Sequence, residues 1–204
     1  LRAGDQSGAI RALQRLLPLK PDSETARAAA FWLAHAHDAA GSRALAEKGW
    51  ASIVERNRFS YYGDRAAARI GAPPPVPSLV FPDLSLGVAV LAHPDFQAAA
   101  LLSRAGLLSD AAVYARRLNT VFRRDNAVAL LAARASAAAG DHTSASLTMS
   151  SYFGPYLERP ATGLPDDFWS LAYPRAYWPE VSAAAASHRV DPLLMLGLAR
   201  QESH

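Results

Sequence analysis

One carboxylate stands out by its setting rather than its type. Glu202 follows the run Leu193-Leu194-Met195-Leu196-Gly197-Leu198-Ala199-Arg200-Gln201 and precedes Ser203. At about 100° per residue along a helix, it falls within about 20° of Met195 and between Leu198 and Ala199. A charged group inside an apolar arc breaks the local packing rule, and functional residues are expected where such rules break. Apolar surroundings disfavour the ionised carboxyl. The phase therefore predicts an acid that keeps its proton toward neutral pH and acts as a general acid, as cleavage of a glycoside requires. A glutamate in a terminal helical turn is otherwise an ordinary solvated residue, so the flanking residues have to decide.

Other chemistries are thinly supplied. The chain has no cysteine, which excludes disulfides and thiolate chemistry and leaves the compartment unread from redox. His35 and His37 are two apart on an expected helix and face different ways, and no HExxH-like pairing occurs. No metal and no cofactor are expected. There is no Ser-His-Asp or phosphate-loop pattern. Asp166 and Asp167 fall in a loop-like stretch and Asp191 reads as a helix cap, so Glu202 has no obvious carboxylate partner.

The formal net charge is +3, carried by arginine, since Lys20 and Lys48 are the only lysines. The pairs Arg116–Arg117 and Arg123–Arg124 read as solvated helix faces, because no aromatic residues interleave with them; no nucleic-acid partner is expected. No stretch of 18 uninterrupted apolar residues occurs, so no transmembrane segment is expected. No signal peptide is recognisable. The chain starts at Leu1 without Met and stops at His204 inside an expected helix, so both ends read as cuts.

The elements that would carry Glu202 are helical. Alanine, leucine and arginine dominate, half of the residues are hydrophobic, and isoleucine is scarce, which favours helix over strand. Cap and stop signals predict helices over 7–17 (stopped by Pro18), from Asp22 or Ser23 to about Ala40 (stopped by Gly41), over 42–56, and over 60–70 (stopped by Gly71). Phe31, Trp32 and Trp50 read as helix–helix packing. Ala72-Pro73-Pro74-Pro75-Val76-Pro77 forbids helix and reads as a stiff connector. Helices resume at about 94–105, 109–123, 126–139 and 142–153.

Gly106 and Gly140 each close a helix 34 residues apart, a step suited to stacked helix pairs, whereas Gly41 to Gly106 is 65. The spacing predicts an all-α fold built as a degenerate α-superhelix. Residues 154–171 read as a loose linker with Pro155, Pro160, Gly163 and Pro165. A helix to about His188 and a final helix from Asp191 and Pro192 complete the chain.

From Tyr173-Pro174 with Tyr177, through an Ala-rich helix and Val190-Asp191-Pro192-Leu193-Leu194 to Arg200-Gln201-Glu202-Ser203, the chain resembles the opening of the catalytic domain of soluble lytic murein transglycosylases. Phe59-Ser60-Tyr61-Tyr62-Gly63 and the Ala-rich helix after it are similar to the end of that family's ring-forming superhelix. The resemblance implies the end of a superhelical ring domain over 1–72, a Pro-rich connector over 73–93, a helical linker domain over 94–160 and the first helices of a lysozyme-like catalytic domain over 161–204. It implies that Glu202 is the single acid/base and that Ser203 positions the substrate. Tyr173 and Tyr177 are candidates for glycan contact.

The substrate so implied is the β-1,4 bond between N-acetylmuramic acid and N-acetylglucosamine in peptidoglycan glycan strands, in the periplasm, with other cell-wall enzymes as further candidate partners. One carboxyl would protonate the leaving oxygen and then deprotonate the muramic C6 hydroxyl, which closes a 1,6-anhydro ring, so no second carboxylate is needed. The family's Gly-Leu-Met-Gln, Asn-containing and Ala-Tyr-Asn-Ala-Gly sugar-binding segments do not follow Glu202 before His204. The 204 residues are accordingly expected to be an inactive fragment. The rival expectations are a helical-repeat interaction scaffold, and a lysozyme-type hydrolase needing a second carboxylate.

Overall fold

The computed structural model describes residues 5–19, 24–71 and 75–202. Its fold is all-α. Twelve helices and one short pair of strands occur among the described residues. They divide into two compact units, one of residues 1–81 with 155–162, the other of 82–154 with 163–204.

The first unit holds α1 (Gln6–Leu16), α2 (Glu24–Ala39), α3 (Arg43–Asn57) and α4 (Tyr61–Ile70), consecutive helices that pack on one another. Asp5 caps α1 by accepting from Gly8 N at 2.7 Å. The expected caps Asp22 and Ser23 lie outside the described residues. Trp50 is fully buried, and Phe31, Ala34, Ala46, Ile53, Val54, Ala66 and Ala67 surround it. Trp32, expected in the packing, instead stands half exposed with its ring edge against His35.

Gly63 explains how closely α4 returns on α3. A Cβ there would lie 1.8 Å from the Asn57 carbonyl oxygen, so only glycine admits the approach. Ser60 closes the same turn by accepting from Gly63 N at 3.0 Å.

Residues 155–162 are stitched into this unit. β1 (Leu79–Val80) pairs in parallel with β2 (Ala161–Thr162), Leu79 opposite Ala161 and Val80 opposite Thr162. Glu158 accepts from Arg27 at 2.6 Å and from Asn57 Nδ2 at 2.6 Å, while its own carbonyl accepts from Phe59 N. Tyr156 meets the Phe81 ring edge-on. The stretch 154–171, expected as a loose linker, is therefore mostly built into helix, strand and core.

The second unit holds α5 (Val88–Leu91), α6 (Pro94–Arg104), α7 (Leu108–Val121), α8 (Asn126–Ala138), most of α9 (His142–Glu158), α10 (Phe168–Ala172), α11 (Trp178–His188) and α12 (Pro192–Glu202). α5 falls inside the expected 73–93 connector. The α9 backbone leaves helical geometry at Phe153 (φ −120°, ψ 16°), two residues before Pro155. Proline removes one helical donor and crowds the preceding turn, which accounts for the kink.

Gly106 and Gly140 end α6 and α8 in the same way, at φ 78° and 79°. In each, the following residue donates back to a carbonyl five positions earlier, Leu107 to Leu102 and Asp141 to Ser136. These 6→1 closures return the chain into α7 and α9 as helical hairpins. Gly41 closes α2 likewise, with Ser42 donating to His37. The core of this unit gathers Val90, Leu118 and Val128, beside a tight alanine layer of Ala99, Ala115 and Ala132.

The arginine pairs act within the unit. Arg116 reaches Asp141 and Ser136 at 3.2 and 3.3 Å, Arg117 pairs with Asp95 at 3.6 Å, and Arg123 donates to the Thr120 carbonyl.

Candidate active site

The helix carrying Glu202 begins as its sequence requires. Asp191 accepts from Leu193 N at 2.8 Å, and Pro192 occupies the first helical position, where no donor is needed. The rest of α12 is unusual for a helix of this composition, because none of its residues is buried. Leu194 and Leu198 are 59% and 56% exposed, and Leu193 is similar.

Glu202 lies one and two turns beyond Leu198 and Leu194 on the same stripe and is itself exposed. The apolar arc expected around Glu202 therefore exists but is open to solvent. The desolvated setting expected to hold its proton is not closed among the described residues. Ser203 lies outside the described residues.

On the opposite side of the helix, Arg200 makes the contacts. Its guanidinium donates to the Ala172 carbonyl at the end of α10 and to Ser150 Oγ of α9, the latter at 3.1 Å. It also lies 4.2 Å above the Tyr173 ring. Tyr173 stacks in turn on Trp169, centroids 6.0 Å apart and planes at 24°. Both aromatic residues keep over two-fifths of their surface exposed, at 47% and 42%. A shallow hollow of about 160 Å³ lies beside this stack, lined by Ser150, Gly197, Arg200 and Gln201. Glu202 does not line it.

Tyr177 is 77% exposed and adopts a left-handed backbone, φ 55°, at the start of α11. A non-glycine residue there costs about 1–2 kcal/mol. Arg189 closes the other end of α11 at φ 54°. Val190 donates there to the Ala185 carbonyl, the closure seen at Gly106 and Gly140 with arginine in the glycine's place. Trp178, at the first turn of α11, is covered by the Arg175 guanidinium at 5.2 Å.

The aspartates have structural work. Asp167 receives a two-bond fork from Arg134, at 2.6 and 2.8 Å, which ties the start of α10 to α8. Hydrogen bonding by that guanidinium, and its charge, hold the Asp167 carboxyl below the usual aspartate range. Asp141 is likewise lowered, first by its hydrogen bonds from Ser144 and then by the Arg116 charge. Among the described residues, no group of three His, Cys, Asp or Glu side chains is disposed to hold a metal ion. No described helix is long and apolar enough to cross a membrane.

The sequence names Arg200 only as part of the segment Arg200-Gln201-Glu202-Ser203, without its contacts, and does not single out Ser150 or Trp169. The available signal was Arg200 itself, a cation in an otherwise apolar run and half a helical revolution from Glu202. No protein-family description, curated protein or solved structure matches the chain.

Proposed function

We propose that this chain carries the acid/base of a peptidoglycan lytic transglycosylase, with Glu202 as the catalytic residue and Ser203 beside it. The observation that carries the reading is the placement of Glu202. It ends an uncovered apolar stripe, Leu194–Leu198–Glu202, within the sequence Arg200-Gln201-Glu202-Ser203. A carboxyl on such a stripe becomes a desolvated acid once a second surface covers it. It would then protonate the glycosidic oxygen and, as carboxylate, accept the proton of the muramic C6 hydroxyl while that oxygen attacks the anomeric carbon. The ring of Tyr177, 77% exposed, offers an apolar face of the kind a sugar stacks on. The periplasm is the compartment this substrate dictates.

Within residues 1–204 the sugar-binding segments implied by the resemblance are missing, so this chain by itself is expected to release nothing from purified sacculi. Joined to the sugar-binding remainder of a lytic transglycosylase catalytic domain, it is expected to release 1,6-anhydromuramoyl products, identified by mass spectrometry. Glu202→Gln in that chimera should lower release by about 10²–10⁴-fold. A chimera that melts cooperatively yet yields reducing ends, or nothing, overturns the proposal.

A second reading has its own observation. The matching closures at Gly106 and Gly140, 34 residues apart, are those of stacked helical hairpins, which commonly present surfaces to partner proteins. A folded chimera without turnover would favour that interaction scaffold.

A further inference from the structure

Helix α12 presents a problem of attachment. A helix of this length is marginal in water and depends on a buried face for its stability, yet no residue of α12 is buried. Its partner in the chain is α11, and it packs on that neighbour. Beyond the hairpin, the contacts of Arg200 fix its last turn. One planar guanidinium donates to the Ala172 carbonyl, donates to Ser150 Oγ at 3.1 Å and covers the Tyr173 ring at 4.2 Å. Three partners from α9, the end of α10 and the residue following it thus converge on one side chain. Arginine suits this role, since its donors lie in a rigid fork and its flat face stacks on aromatic rings, whereas lysine offers a point charge.

The phase of the helix turns that anchor into an orientation. Residues two apart are about 200° apart around a helix. When Arg200 faces α9 and α10, Glu202 faces away from them, on the stripe of Leu194 and Leu198.

We infer that Arg200 is the positioning residue for Glu202, clasping α12 to Ala172, Ser150 and Tyr173 so that the carboxyl is held on the outer face of the helix. The inference rests on the proposed role of Glu202 for its purpose, but not for its geometry.

The chain has no cysteine, so spin labels can be placed uniquely. Labels at Leu198→Cys and Ala138→Cys, both exposed positions, report the placement of α12 relative to α8 within the same unit. With Arg200 present, a single narrow distance distribution is expected. Arg200→Ala should broaden it and speed amide exchange across 193–202 by about tenfold, while α7 and α8 exchange as before. Arg200→Lys should restore little of the narrow distribution or of the protection, whereas Tyr173→Phe, which keeps the ring, should preserve both.

An unbroadened distribution in Arg200→Ala, or full rescue by lysine, overturns the clasp. So does loss of protection throughout α7 and α8, which would mark Arg200 as a general stability residue. None of these measurements involves turnover, so failure of the clasp is separable from failure of Glu202 as the acid. Glu202→Gln in the active chimera tests the latter alone.

Discussion

The fork between Arg134 and Asp167 makes the stability of the second unit depend on acid. The Asp167 pKa is depressed in the folded chain below its ordinary 3.8. The stabilisation is therefore fully present above that value and is lost as pH falls through the lower, folded one. Both side chains are over a third exposed, at 47% and 39%, so solvent screening limits the pair to about 1 kcal/mol. Asp167→Asn should lower the melting temperature slightly at neutral pH and flatten its decline below about pH 4. Thermal melts across the acid range would measure this, and an acid limb identical to that of the unmodified chain would refute it. Arg189 makes a second case at this scale. It holds the left-handed position that Gly41, Gly106 and Gly140 occupy in the other closures. Arg189→Gly should stabilise the protein by about 1 kcal/mol, read from denaturant midpoints; a loss of stability would show that the arginine side chain outweighs its backbone strain.

The helices themselves were legible because their punctuation is local. Ser60, Asp125 and Asp191 accept from the first amides of their helices, and glycines close α2, α6 and α8, all features written within a few residues. What stayed hidden depends on distant partners. The stretch 154–171 reads as a linker by its prolines, yet Glu158 finds Arg27 and Asn57 more than a hundred residues earlier. The contacts of Arg200 are hidden for the same reason, since Ala172 and Ser150 are its neighbours only in space. Glu202 could be placed on its apolar stripe from helical phase alone, but phase does not say whether anything covers the stripe. At Gly63 the distinction between local and spatial cause is testable. The residue sits in helix, where alanine would ordinarily be favoured, but its Cβ would meet the Asn57 oxygen at 1.8 Å. Gly63→Ala should destabilise the first unit by about 2 kcal/mol, measured by chemical denaturation. A stabilising effect, as helix propensity alone dictates, would show that α3 and α4 do not approach this closely.

Across the whole molecule, two cores are distinguishable by composition. The first unit is centred on one large side chain, Trp50, with Arg43 and Arg69 guanidiniums 5.7 and 6.0 Å from its ring and, among the described residues, no acceptor for its buried indole N–H. The second spreads its burial over alanine layers, aliphatic residues and the fully buried, edge-to-face pair Phe153 and Phe168. Trp50→Ala leaves a void in the first unit and should cost about 3–5 kcal/mol there. Amide exchange should accelerate in α2, α3, α4 and residues 155–162 while α6, α7 and α8 keep their protection. Uniform acceleration would instead show that the molecule unfolds as a single cooperative body.

The seam held by Glu158 also imposes an order on biosynthesis. A chain emerging from the ribosome from its N-terminus has α1 to α4 and β1 available when residue 81 appears, but the strand that pairs with β1 and the carboxylate that meets Arg27 and Asn57 are not yet translated. The intervening residues 82–154 must be made first, and their local hairpins can form while the first unit waits with an open edge. The unit that comes first in the sequence is thus completed only after most of the second has been synthesised.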